Sequence, residues 1–305
     1  MRLGTTLAAI EKLAGCLPFL AAAPLLLGAG PLEIDHVTVA GHDVRAMQAG
    51  LRAVGLEPEY GGAHNNRATE MALVSFPDGT YLELIAILPG ADAQALAGHY
   101  WAKQMENDAG PTAWAVQSDD LAAEAKRLRA AGVTVSDPSP SGRTRPDGVR
   151  LEWRTARVGP EPNGAFFPFL IQDLTPRSLR AFPTGKPATE AFQGVARVVI
   201  AVRDLEQAAR RFRKAYGLAE PLRQADAGFG ALLASFAGAP AVLAAPADAS
   251  SWLTSRLARF GEGPCAFVLT AAKPEAFRAA AKSRWFGRDV SWFDAGQLGW
   301  RLGWQ

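Results

Sequence analysis

The chain has 305 residues, 49% of them hydrophobic and 20% charged, with 32 Lys and Arg set against 30 Asp and Glu. That length holds two ordinary domains with a sizeable core. A formal net charge of +2 supplies no broad basic field and argues against nucleic acid as the main partner, and two cysteines, Cys16 and Cys265, are too few for a disulfide scaffold or a thiolate metal cluster.

Residues 1–33 stand apart from the rest. A basic start, MRLGTTLAAIEK, leads into LAGCLPFLAAAPLLLGAG, 18 residues without a charge. The pattern fits a signal peptide or a single membrane anchor, and so a periplasmic or membrane-attached protein. Glu11 and Lys12 interrupt the approach, and Pro18 and Pro24 break the helix. A disordered or loosely packed tail on a cytoplasmic protein is therefore the alternative.

Four passes of one module follow. The first opens with the strand IDHVTVA, after which Asp43 reads as a helix N-cap. Val44, Met47, Leu51 and Val54 then recur every three or four residues as one apolar stripe, and Gly55 ends the helix. Strands are expected around 56–60, 69–76 and 80–87, the last two joined by the turn PDGT. The second module repeats this as TAWAVQS, the helix DDLAAEAKRLRAAG capped by Asp119 or Asp120, and the strands VRLEWRTARV and AFFPFLIQD. The third starts at Val195, with a helix capped by Asp204 that aligns Leu205, Ala208, Phe212 and Tyr216, and later strands in GFGALLASFAG and PAVLAA. The fourth has PCAFVLTA, an expected helix in KPEAFRAAAKSRW, and the strands DVSWFDAG and LGWRLGW.

A β-α-β-β-β module has one sheet face under its helix and one bare face, and two modules enclose a cup by turning their bare faces together. The expected fold class is α+β: four βαβββ modules pairing into two half-barrel cup domains. These span residues 34–174 and 195–305, joined by the Pro-, Thr- and Gly-rich linker 175–194. Strand alternation turns Val37, Val39, Leu82 and Leu84 toward the helix, and Ile34, His36, Thr38, Tyr81, Glu83 and Ile85 toward the cup.

His36 and Glu83 thus share the inner face. All four histidines (His36, His42, His64 and His99) fall within the first 99 residues. His64, in the glycine-rich loop GGAHNNR, is the third candidate metal ligand beside His36 and Glu83, and the candidate acid-base partner of Glu83. Such donors suit Zn, Fe, Mn or Ni, although two firm protein ligands make an incomplete set. Without a metal, Glu83 in an apolar cup would act as a base beside His36. The plainer alternatives are a buried hydrogen-bonded pair for His36 and Glu83, and a turn former for His64. His42 reads as solvent-exposed and His99 as a lid residue or a bystander. Arg150 and Arg154, on one face of VRLEWR, are candidates to clamp an anionic or carbonyl-bearing ligand, unless that face is the solvated one. Trp153, opposite them, reads as core. In the third module Arg197 stands where His36 stands in the first; a guanidinium offers no lone pair, so the pocket is expected in the first half alone.

The stretches IDHVTVAG, GGAHNN, DGTYLELIAI, TRPDGVRLEWR and FFPFLIQDLTPR resemble the bacterial glyoxalase-like domain of the vicinal oxygen chelate superfamily, strongly over 34–180 and only in architecture over 195–305. The resemblance implies a metal-dependent lyase, isomerase or dioxygenase acting on a small carbonyl or vicinal-oxygen substrate. It also implies three or four ligands from the first and last strands of paired modules. His36 and Glu83 match two of those positions, but Ala113, and Pro168 or Phe169, hold the matching places in the second module and cannot ligate. A non-catalytic protein that sequesters a small molecule is the alternative of the same fold. The implied partners are a small-molecule ligand, a second copy in a homodimer as an option, and a membrane only through an uncleaved N-terminal segment.

Overall fold

The computed structural model describes residues 32–305 together with Met1, and the signal or anchor segment lies outside the described residues. Among the described residues no helix is long and apolar enough to cross a membrane. The first half runs β1 (Ile34–Gly41), α1 (Val44–Ala53), β2 (Glu59–Ala63), β3 (Thr69–Ser75), β4 (Tyr81–Ile87), α2 (Ala93–Ala97), α3 (Ala102–Glu106), β5 (Gly110–Gln117), α4 (Leu121–Ala130), β6 (Ser139–Thr144), β7 (Arg150–Ala156), β8 (Phe169–Asp173) and α5 (Arg177–Ala181). The second runs β9 (Phe192–Ala201), α6 (Leu205–Tyr216), β10 (Leu222–Asp226), β11 (Ala231–Ser235), β12 (Ala241–Pro246), α7 (Trp252–Phe260), β13 (Gly263–Ala271), β14 (Ala281–Trp285), β15 (Arg288–Trp292), α8 (Ala295–Leu298) and β16 (Arg301–Trp304).

Each half is one eight-stranded sheet, ordered β2-β3-β4-β1-β5-β8-β7-β6 and β10-β11-β12-β9-β13-β16-β15-β14. Both sheets curl until their edge strands meet. Arg143 Nη1 of β6 donates to the Gly61 carbonyl of β2 at 2.6 Å, and Gln224 Nε2 of β10 donates to the Arg284 carbonyl of β14 at 2.5 Å. The result is two nearly closed α+β cups.

The local signals behave as their chemistry demands. Asp43, Asp120 and Asp204 each accept backbone N–H bonds at a helix start, satisfying donors that have no partner within the helix. In the PDGT turn, Asp78 Oδ1 accepts from Thr80 N at 2.8 Å and Gly79 takes φ +83°, a conformation a side chain resists. β2 begins only after Pro58, which cannot donate to a ladder.

Two expectations fail. KPEAFRAAAKSRW forms no α-helix: only a single 3₁₀ turn at Pro274–Ala276 precedes β14, which pairs with β15 from Ala281 to Trp285. Alanine-rich propensity favours a helix there, but pairing that completes the sheet overrides it. Ile34 joins the helix-side core rather than the cup, because the β1–β5 ladder shifts register between Ile34 and His36.

The helix-covered faces of the two sheets share one core, with Val37, Leu51, Leu84 and Leu128 from the first half beside Val198, Phe212, Leu243 and Leu302 from the second. The cup interiors differ. The second holds a cluster of buried side chains from Val199, Phe229, Val242, Leu253, Leu257, Trp285 and Trp292, the two leucines delivered by α7. The first keeps an apolar wall of Trp101, Met105, Ala113, Ala115, Phe169 and Ile171 and remains hollow.

Candidate functional site

The hollow in the first cup is a cavity of about 590 Å³. The parallel ladder of β1 with β4 sets His36 against Tyr81 and Thr38 against Glu83, which brings His36, Tyr81 and Glu83 together on its floor, with Thr38 fully buried beside Glu83. Thr38 Oγ1 donates to Glu83 Oε2 at 2.9 Å. His36 Nε2 lies 3.8 Å from Glu83 Oε2, and His64 Nε2 lies 3.7 Å from Glu83 Oε1. The carboxylate therefore shows one oxygen to each imidazole. His64 reaches in from the loop after β2, where Asn66 Oδ1 accepts from Ala68 N and Thr69 N, and Thr69 Oγ1 sits 2.8 Å from His64 Nδ1.

Behind His36 stands a buried charge network that spacing did not reveal. Asp35 Oδ1 is 2.5 Å from His36 Nδ1, and both Asp35 oxygens accept from Arg180 at 2.8 Å. Arg177 also pairs with Asp35. Arg180 further donates to both oxygens of Asp173 at 2.7 Å and to Tyr81 Oη at 2.5 Å. A carboxylate held by two guanidinium groups can only accept, so His36 carries its proton on Nδ1 and turns a bare Nε2 toward the cup. Burial pushes the His36 pKa down to about 4 and that of His99 down to about 4, and lowers that of His64 as well. The Tyr81 ring stacks on His36 at 4.8 Å, and burial raises its hydroxyl to about 12.

Two imidazole nitrogens and a carboxylate are the donor types a divalent ion takes. Nitrogen and oxygen ligands stand about 2.0–2.2 Å from such an ion, which puts neighbouring donors about 3.4 Å apart in a tetrahedral shell. The Glu83 separations are wider than that. Among the described residues no group of three or more His, Cys, Asp or Glu is arranged to hold a metal ion. The set His36, His64 and Glu83 is assembled, with separations a few tenths of an ångström wider than a tetrahedral shell takes.

Of the two proposed clamp arginines, Arg150 lines the cavity and Arg154 does not. The β6–β7 register pairs Arg143 with Leu151 and Ser141 with Trp153, all of which line the cavity, so Arg150 and Arg154 belong to the opposite face. Arg150 only reaches the rim, its side chain 79% exposed and paired with Glu152. Arg154 is exposed and does not line the cavity, whereas Trp153 does. His99 lines the cavity and His42 lies outside it. The residues missed from sequence are Asp35, Arg143, Asp173, Arg177 and Arg180, whereas Tyr81 faces the cup as alternation expected; Asp35 beside His36 in IDHVTVA and the QDLTPR run were the available signals.

The duplicate positions show what the other modules lost. Ala115 pairs with Phe169 as Thr38 pairs with Glu83, so Phe169 occupies the Glu83 place in the second module. In the second half Val199 pairs with Val242, and Arg197 Nη1 bonds the Ala239 carbonyl at 3.3 Å.

A family model described as the glyoxalase-like domain matches residues 34–216 of this chain. The chain belongs to the glyoxalase-like domain family. Two solved structures share the vicinal oxygen chelate fold over nearly its whole length. A hypothetical protein from Staphylococcus aureus is 13% identical, with 90% of this chain and 98% of that chain covered at a TM-score of 0.61. A triple mutant of 4-hydroxymandelate synthase from Streptomyces coelicolor is 11% identical, with 90% and 92% covered at a TM-score of 0.59. At these identities the likeness is one of fold. No curated protein matches the chain.

Proposed function

We propose that this glyoxalase-like protein is an enzyme of the first cup, acting on a small carbonyl compound that carries a neighbouring oxygen. Glu83 moves a proton at the carbon or hydroxyl beside the carbonyl, while His36 and His64 flank it as uncharged imidazoles. The observation that carries this reading is the placement of Glu83, one oxygen turned to each Nε2 at 3.8 and 3.7 Å on the floor of a cavity of substrate size. A bare His36 Nε2 facing a carboxylate oxygen leaves two acceptors opposed, an arrangement that a substrate hydroxyl or an acidic C–H resolves.

The test is solvent-deuterium incorporation, followed by NMR, across a panel of 2-hydroxy carbonyl compounds, with the whole chain and its Glu83→Gln variant. Glu83→Gln is expected to lower the exchange rate by about 10²-fold or more, and equal rates would discard the proposal. Elemental analysis runs alongside. About one divalent ion per chain, lost in a His36→Ala, Glu83→Ala double variant, would replace proton transfer by metal chemistry at the same residues. The apolar wall of Trp101, Phe169 and Ile171 favours a second reading, a protein that binds and holds a small molecule without turning it over. Tight binding with no exchange by any panel member selects it.

A further inference from the structure

Arg143 is 1% exposed, shares the cup face with Leu151 and Trp153, and lines the cavity. Its Nη1 is taken by the Gly61 carbonyl at 2.6 Å. Its Nη2 is buried and has no hydrogen-bond partner among the described residues. The other deeply buried cup arginine is used on every nitrogen: Arg180 bonds Asp35, Tyr81 and Asp173 through Nε, Nη1 and Nη2. A guanidinium N–H kept from both water and protein acceptors is costly, and a binding site is where such a group finds its acceptor in the ligand.

The rest of the cup states what else that ligand must carry. His36 Nε2 and Glu83 Oε2 are two acceptors 3.8 Å apart, calling for a donor. Trp101, Phe169 and Ile171 form an apolar wall beside them. We propose that Arg143 is a carboxylate-binding residue and that the cup takes small hydroxy acids. The carboxylate accepts from Arg143 Nη2, the hydroxyl donates toward His36 and Glu83, and the apolar remainder lies on the wall. This assignment rests on the first cup being the working site and adds the charge class of its substrate.

Isothermal titration of the whole chain with 3-phenyllactate and with its uncharged amide, 3-phenyllactamide, tests it. The wild-type chain is expected to bind the acid at least about tenfold more tightly than the amide, as a charge-assisted bond does. Arg143→Met is expected to bring the two within about threefold while leaving the amide unchanged. Because Arg143 also ties β6 to β2, Arg143→Lys serves where the Met variant fails to fold; it keeps the charge without the fixed second N–H and should lose part of the preference. Glu83→Gln should keep the acid preference, so a failure of proton transfer and a failure of the carboxylate subsite read differently. Equal binding of acid and amide by the wild type, binding of neither, an undiminished preference in both Arg143 variants, or inorganic phosphate binding as tightly as 3-phenyllactate would overturn the proposal.

Discussion

Asp35 accepts from Arg180 through both oxygens at 2.8 Å and from His36 Nδ1 at 2.5 Å while fully buried, so one charge balances two cations and orients an imidazole. Asp35→Asn leaves Arg177 and Arg180 undercompensated, and breaking such a pair is expected to cost about 3–5 kcal/mol, read as a lower urea midpoint. The same change offers His36 a donor, moves its proton to Nε2 and should remove activity even where the variant folds. His36 also sets an acid limit. Burial holds its pKa at about 4 in the folded chain against an ordinary 6.5. Between those values the unfolded chain binds a proton the folded chain refuses. Stability is therefore full above about pH 6.5 and falls toward pH 4, by on the order of 3 kcal/mol from this group. Urea titrations at pH 7, 5.5 and 4.5 check it, and a flat profile would contradict it. His36 and Glu83 were legible because alternate residues of a strand share a face. Asp35 was not, because alternation turned it away from His36 and the irregular β1–β5 register lies outside what spacing encodes.

At the scale of elements, period-two alternation grouped Arg150 with Arg154 and Trp153 apart from them, and the register agrees with that grouping. It did not say which group looks inward. That depends on β6, whose SPSGRT carries no apolar alternation to mark a face. Trp153→Ala is accordingly expected to weaken ligand binding in the cup several-fold, whereas Arg154→Ala should leave both binding and stability within about 0.5 kcal/mol of wild type. Side-by-side titration and urea unfolding of the two variants separate these outcomes. The segment 175–194 misled in a similar way. Its Pro, Thr and Gly content reads as a connector, yet it contains α5, which carries Arg177 and Arg180 to Asp35.

Across the molecule the two cups carry different burdens. The first holds a cavity whose wall contacts are missing on one side, a stability cost that working sites accept. The second has Val242 at the Glu83 place and α7 packed inside. Leu257→Ala in α7 is expected to cost about 2–5 kcal/mol without altering ligand affinity in the first cup, measured by urea unfolding beside the calorimetric titration. The repeat itself was readable because aspartate caps recur at the helices of the first three modules, whereas the helix expected in the fourth does not form. Which cup stays hollow was readable only through the histidines, because the packing of Leu253 and Leu257 depends on a helix that joins modules rather than belonging to one.

The place of α5 bears on how this protein can be divided. The first sheet ends at Asp173, but the counter-charges of Asp35 arrive only at Arg177 and Arg180. A gene cut after residue 173 would encode every strand of the first cup and omit the cations that hold His36 in place, while a cut beyond residue 181 would include them. Expressed as two complementary fragments, the chain should regain its site from the second pair when mixed, and from the first pair only if the α5 fragment docks back against Asp35. The seam between the two sheets and the seam around the chemistry fall at different residues.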